Sequence, residues 1–347
     1  MELFRSELTE GDGYYIAQEI TNIRKLFGVH FFPLSSIYLA DLLIRIGGIQ
    51  ASLPFAGVTH GSRNALETIL FEYMLCKPVL GTDISKSSSY FPRLIRHDMN
   101  LPIHKRYYGN GFGFVYSNSW DHSNAPKTMF YNWMDSLSLE NGCLIIEKQR
   151  SSGACATLTD PFAATDSELI SLLSEISREY NLDCHYVGTL ELNFVSSGLL
   201  ASTNEYLLPG TATRLYSFEN GKHHLVDFSV RPEPRPLRHH IFLRSKNKAE
   251  ISRAEANVAA VNSIINSGET LLTESYFRLH PTLLHELDIQ SDIVKKVEAQ
   301  VLLSMALKEK VFRDTRGDSP SERDSLVSEV VSALNSRGEQ VGNASLT

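Results

Sequence analysis

The sequence predicts an α/β fold built on a mostly parallel sheet. Three observations carry the expectation. Between Phe55 and Glu147, five short apolar runs each end in small or polar residues, and most are followed by a segment of helical or loop character. A glycine-bearing turn, THGSRN, joins the first run to an apolar helix-like stretch. An acidic residue, Asp83, closes the second run about 20 residues after that turn. Parallel strands in this order deliver the polar groups at their C-terminal ends to one crevice.

Taken in order, the chain opens with a helical lead. Ile16, Ile20, Ile23 and Phe27 fall at helical spacing, and SSIYLADLLIRI over Ser35 to Ile46 is a second helix, stopped by Gly47-Gly48. Tyr14 and Tyr15 are candidate ligand contacts from this lead. Ser52 to Val58 is read as the first strand, with Pro54 poorly suited to ladder pairing at its start. Thr59 to Asn64 then form the turn, and Ala65 to Leu75 the helix. Lys77 to Ile84 is the second strand, a third ends at Asp98-Met99, Phe112 to Ser117 is the fourth, and Asn141-Gly142 turns into a fifth, CLIIE. Ala125 to Leu137 and Leu169 to Tyr180 read as helices, the second opened by Asp166-Ser167-Glu168. Leu182 to Leu192 is a sixth strand and His239 to Arg244 the last; Thr213 to Tyr216 and His224 to Val230 are strand-like segments between them. Ala249 to Ile265 is an unbroken helix, and Ser291 to Phe312 is periodic.

Composition narrows the function classes. With 347 residues and 42% hydrophobic content the chain can bury a sizeable core. A net charge of −7 argues against a general polyanion binder. The four cysteines, at 76, 143, 155 and 184, show no CxxC spacing, so Cys76 and Cys143 are read as buried free thiols. The N-terminus has no signal-peptide profile and no apolar run reaches membrane-spanning length, which predicts a cytoplasmic protein with no membrane partner.

Three motifs stand in order: Thr59-His60-Gly61-Ser62-Arg63-Asn64-Ala65-Leu66-Glu67, Gly81-Thr82-Asp83-Ile84-Ser85, and Tyr116-Ser117-Asn118-Ser119-Trp120-Asp121-His122. Together they resemble the class I S-adenosylmethionine-dependent methyltransferases, in a branch with HGxRNGxE, GTDIS and YSNSxDH motifs. Ala65 departs from the pattern, which prefers glycine there. The resemblance implies a Rossmann-like, mostly parallel seven-stranded sheet with helices on both faces and the last strand antiparallel. It also implies S-adenosyl-L-methionine as cofactor, held by Gly57, Thr59, His60, Gly61, Arg63, Asn64, Asp83, Ile84, Asp98, Met99, Ser117, Asn118 and Ser119. Within that set Asp83 would bind ribose hydroxyls, and Asp98 with Met99 the adenine. Arg63 and Glu67 either bind the amino-acid end or hold the turn, with Glu67 read as structural.

Asp121 and His122 follow the fourth strand and are the candidate general bases. The competing readings are a helix cap for Asp121 and packing near the cofactor for His122. The expected division is an N-terminal helical segment over 1–48, a methyltransferase core over 49–245 with an acceptor-side insertion at 193–236, and a C-terminal helical extension with a flexible tail over 246–347. That extension offers a surface for a homodimer. The expected acceptor is a small or sugar-like molecule methylated at oxygen or nitrogen. The alternatives are an RNA or protein methyltransferase, favoured by the arginines between 231 and 244, and a degenerate binding module, favoured by Ala65. Arg231, Arg235, Arg238 and Arg244 are candidates to grip a phosphate or carboxylate. One His from each adjacent pair, 223–224 and 239–240, could join Asp121 in a metal site as a minor variant.

Overall fold

A computed structural model describes residues 18, 35–50, 52–85, 88, 91, 93–149, 161–192, 214–219, 222–227 and 237–267. The first helix, α1, spans Ser35–Ile46. Strand β1 is Gly57–His60, helix α2 Leu66–Leu75 and strand β2 Val79–Asp83. Strands β3 (Leu94–Arg96) and β4 (Phe114–Ser117) follow, then helix α3 (Pro126–Asp135) and strand β5 (Gly142–Gln149). Helix α4 is Asp166–Glu179 and strand β6 Cys184–Leu192. Strands β7 (Arg214–Glu219) and β8 (Lys222–Asp227) precede β9 (Leu237–Arg244) and helix α5 (Lys248–Ser267).

Seven strands form one sheet in the order β3-β2-β1-β4-β5-β9-β6. Strands β1 to β5 pair in parallel, and β9 runs antiparallel to both β5 and β6. The expected seven-stranded α/β sheet with an antiparallel last strand is therefore present. Among the described residues, strands β7 and β8 pair with each other, as a two-stranded ribbon inside the long connection between β6 and β9.

Alternation along the strands builds two cores. Phe114, Cys143, Ile145 and Ile241 face one side, where they meet Leu39 and Leu43 of α1, Phe71 of α2 and Val258 of α5. Val115, Leu144 and Phe242 face the other, against Trp133 of α3 and Leu172 of α4. Among the described residues no helix is long and apolar enough to cross a membrane.

Several expectations need correction. The first strand starts at Gly57, later than expected, and continues through Thr59 and His60, so those two belong to the strand and not to the turn. Of the segment from Ser52, Ala56 bridges the neighbouring segments, its N–H donating to the Pro78 carbonyl at 2.8 Å and its carbonyl accepting from the Gly113 N–H at 2.9 Å, but no strand forms before Gly57. Cys76 is exposed, because it caps the C-terminus of α2 in the left-handed conformation (φ 50°), after the buried helix face has ended. Cys143 is buried as expected, and burial pushes its thiol up to about 12. The arginine cluster is spent on structure where it is described. Arg238 pairs with Asp166, and Arg244 donates to the Leu182, Met134, Asp135 and Leu137 carbonyls. The helix expected over 291–312, the tyrosines at 14 and 15, Cys155, Arg231 and Arg235 lie outside the described residues.

Candidate active site

The strand order reverses between β1 and β4, and at the C-terminal ends of β1, β2 and β4 lies a cleft. It is lined by Gly61, Arg63, Asp83, Ile84, Met99, Ser119 and His122, with Gln18 and His97 completing the wall. A topological switch point is where open α/β sheets bind ligands.

The turn after β1 gives the cleft its shape. Gly61 has φ +74°, and a Cβ there would stand 2.6 Å from the Cβ of Ser119, so a side chain would both strain the backbone and collide. The Ser62 N–H donates to the Thr82 carbonyl at 3.0 Å, which fastens the turn to β2. The Ser62 hydroxyl donates to Thr59 Oγ1 (2.7 Å), itself 2.6 Å from Thr68 Oγ1. Asn64 Oδ1 accepts from the Leu66 N–H at 3.4 Å. Ala65 takes the left-handed conformation (φ 60°) as the residue that caps α2. That is the conformation for which glycine is preferred, and alanine adopts it here without breaking the turn.

Asp83 ends β2 almost fully buried. Its Oδ1 accepts from the N–H (2.8 Å) and the hydroxyl (2.6 Å) of Ser85, which fixes the carboxylate at the cleft wall. Met99 presents its side chain to the cleft while its carbonyl accepts from Trp133 Nε1 at 3.0 Å. His97 stands beside it with Nε2 3.1 Å from the Leu101 carbonyl, and burial lowers its pKa.

The expected site residues divide. Gly61, Arg63, Asp83, Ile84, Met99, Ser119 and His122 share the cleft. Gly57 does not reach it: it opens β1 at the far end, where a Cβ would meet the Phe114 ring at 2.2 Å. Thr59, Asn64 and Ser117 brace the turn, Ser117 by donating to the His60 carbonyl (3.1 Å) and accepting from the Ser119 N–H (3.0 Å). His60 stacks on Trp133 at 4.6 Å, and its Nδ1 lies 2.8 Å from Thr82 Oγ1. Burial holds its pKa well below the usual histidine range. Asp98 turns its Oδ1 to Asn100, accepting from both N–H groups at 2.9 and 2.8 Å, and is absent from the cleft lining. Of the two base candidates only His122 lines the cleft; Asp121 lies beside it, Oδ1 3.9 Å from His122 Nε2. Gln18 and His97 were not singled out from the sequence, although His97 adjoins Asp98-Met99 and Gln18 lies in the helical lead.

A second group stands beside the cleft. Asn118 donates to Glu67 Oε1 at 3.2 Å and accepts from the Ser119 hydroxyl at 3.0 Å. Behind it, Tyr116 donates to Glu147 Oε2 at 2.6 Å, and His239 Nε2 lies 3.0 Å from the same oxygen. The adjacent histidines point to opposite faces, as alternation requires: His239 meets Glu147, while His240 Nε2 lies 3.4 Å from Asp166 Oδ1. Neither joins Asp121, and among the described residues no group of three His, Cys, Asp or Glu side chains is placed to hold a metal ion.

No family model matches the chain, and no curated protein matches it. Among solved structures, similarity is found to a protein of Bacillus halodurans C-125 provisionally described as a methyltransferase. It is 10% identical with a TM-score of 0.36, over 59% of this chain and 99% of that one. YcgJ from Bacillus subtilis matches at 10% identity and a TM-score of 0.34, over 60% and 99%. Similarity this low carries no weight for the chemistry.

Proposed function

We propose that this chain is an S-adenosylmethionine-dependent methyltransferase acting on oxygen or nitrogen of a small acceptor. One observation carries the reading: a cleft at the switch point of the sheet, bounded by the Gly61 turn, the Asp83 carboxylate and the Met99 side chain. The residues fit the cofactor. Asp83, held by Ser85 at the end of β2, offers acceptor oxygens to ribose hydroxyls. The side-chain-free surface of Gly61 permits close approach, and Arg63 supplies a cation for a carboxylate. Met99 and Ile84 provide apolar surface for the adenine faces. Bound there, S-adenosylmethionine supplies an electrophilic methyl carbon on its sulfonium.

The chain's own contribution is positioning, which can supply much of the acceleration in a displacement of this kind. The turn is tied to β2 through Ser62 and to β4 through Ser117, so the cleft walls are fixed relative to one another. His122, on the wall contributed by the segment after β4, is the residue that can take a proton from an acceptor hydroxyl.

The test is calorimetric titration with S-adenosylmethionine and S-adenosylhomocysteine. Micromolar binding is expected in the natural protein. Asp83→Ala should weaken it by about tenfold or more, the loss of hydrogen bonds to a charged group. Unchanged affinity in a folded Asp83→Ala protein would remove the ribose assignment, and no binding to the natural protein would remove the reading.

A further inference from the structure

The buried group behind Asn118 holds more acceptor capacity than the described residues satisfy. Glu67 Oε2, Glu147 Oε1 and His239 Nδ1 are buried polar atoms with no hydrogen-bond partner among the described residues. Their residues are 6%, 1% and 0% exposed. Native proteins leave few such atoms, because each one keeps its desolvation cost uncompensated. Three within one connected cluster call for an explanation.

The cluster is assembled by topology. Tyr116, Glu147 and His239 come from β4, β5 and β9, and register places Glu147 directly opposite His239. All three strands direct these residues to the face covered by α2, whose first turn carries Glu67. Glu147 and Glu67 are close enough that each negative charge acts on the Tyr116 hydroxyl, and that of Glu147 acts on Glu67.

The missing partner must be a donor. Glu147 Oε2 already accepts from Tyr116, and a carboxylate only accepts, so His239 Nε2 donates to it. With the ring neutral, Nδ1 carries a lone pair, on the far side of the ring from Glu147. The two free carboxylate oxygens are acceptors as well. Among the described residues, the only ion pair of either glutamate is Glu147 with His239. An ammonium group brings a positive charge and three N–H donors. Burial raises the Glu67 pKa to about 7, in spite of opposing effects from its helix backbone, Arg63 and Asn118.

We propose that Glu67 and Glu147, the latter oriented by His239 and Tyr116, form the binding site for the ammonium group of an amine acceptor, reached from the cleft past Asn118. This rests on the methyltransferase reading and narrows its acceptor to an amine. Asn118 is the half-buried link, bonded to Ser119 on the cleft wall and to Glu67 in the cluster.

The experiment is thermal unfolding of the full chain with propylammonium, benzylammonium and ethanolammonium chlorides. The matched alcohols serve as controls, with sodium chloride added to equal ionic strength. Amines should raise Tm and alcohols should not. The amine effect should be larger at pH 8 than at pH 6, because only the ionised Glu67 attracts the cation. Glu67→Gln should weaken amine binding by about tenfold, the loss of one charge-assisted bond. Asp83→Ala, which removes the ribose contact and the bonds to Ser85 but leaves the bonds of the cluster in place, should leave the amine effect intact. An amine effect without S-adenosylmethionine binding would overturn the methyltransferase reading and leave the ammonium site standing.

Three results would overturn the site itself. The first is no stabilisation by any amine, which would mean that water satisfies these atoms. The second is equal stabilisation by amines and alcohols. The third is loss of the amine effect on saturation with S-adenosylhomocysteine, together with tenfold weaker S-adenosylhomocysteine binding in Glu67→Gln. That pair would assign the site to the cofactor's own amino group.

Discussion

Glu67 links a buried carboxyl to stability. Its pKa is raised from 4.5 to about 7, chiefly by burial. An acid with a raised folded-state pKa keeps its proton in the folded state while the unfolded chain has lost it. Stability therefore falls as pH rises from 4.5 toward 7, and above that window the cost is fully present. Converted by about 1.4 kcal/mol per unit, it is on the order of 3 kcal/mol. Glu67→Gln cannot ionise, so urea unfolding at pH 5 and pH 8 should show a loss in the natural protein that the variant lacks. The groups facing Glu67 are Arg63, Asn118, Glu147 and Tyr116, with His239 behind Glu147. Equal slopes with pH in the two proteins would mean that Glu67 is charged at no cost. The sequence makes Asp83 visible because an acid at a strand end has a positional signature. Glu67 has none: it reads as an ordinary residue in the first turn of a helix, and its burial depends on β4, β5 and β9 meeting above it.

At the scale of elements, α4 shows what local sequence can determine. Thr165 accepts from the Glu168 N–H at 3.3 Å, and Glu168 Oε2 accepts from the Thr165 N–H at 2.8 Å, a reciprocal capping box. Asp166 in the same turn pairs with Lys148 of β5 at 3.0 Å and with Arg238 of β9. Burial would raise the Asp166 pKa, but the bonds from Lys148 and Arg238 prevail and hold it at about 2. Thr165→Ala should cost about 1 kcal/mol in chemical denaturation, the usual value of a lost cap. A loss below about 0.3 kcal/mol would mean that the Asp166 pairs hold the helix start without the cap. Such signals explain why α1, α3, α4 and α5 stand within two or three residues of their expected bounds. Breakers and caps act over neighbouring positions. The start of β1 was misplaced because apolar content alone marked Ser52 to Phe55, and a strand needs a partner ladder as well. The β7–β8 ribbon was legible as two strand-like segments, while its separation from the main sheet depends on pairing across distance, which no short window contains.

At the scale of the molecule, the helices at either end of the sheet sequence share its core. Leu39, Leu42, Leu43 and Ile46 of α1 lie in one buried cluster with Ala254, Val258, Val261 and Ile265 of α5 and with Leu190 and Ile241 of the sheet. Polar contacts lock the same interface. Asn262 Nδ2 donates to the Thr189 carbonyl at 2.8 Å, Asn262 Oδ1 accepts from the Glu191 N–H at 3.2 Å, and Arg253 donates to the Ile46 carbonyl at 3.3 Å. Gly188 in β6 lets α5 approach, since a Cβ there would stand 2.9 Å from Val258 Cγ1. Helix α5 thus packs on the edge strand β6, which pairs with β9, and β9 carries His239 to the candidate ammonium site. Burial of each larger apolar side chain is worth about 1.5–3 kcal/mol. Val258, Val261 and Ile265 together therefore rival the net stability of about 5–15 kcal/mol typical of a folded domain. A chain ending at Ser245 should be insoluble, or soluble without a cooperative thermal transition or near-ultraviolet dichroism. The milder Val258→Asp should lower Tm and weaken amine stabilisation together, because both depend on the placement of β9. A truncated chain that unfolds cooperatively and is still stabilised by amines would show that the sheet holds β9 in register by its ladders alone, with α5 dispensable for both fold and site.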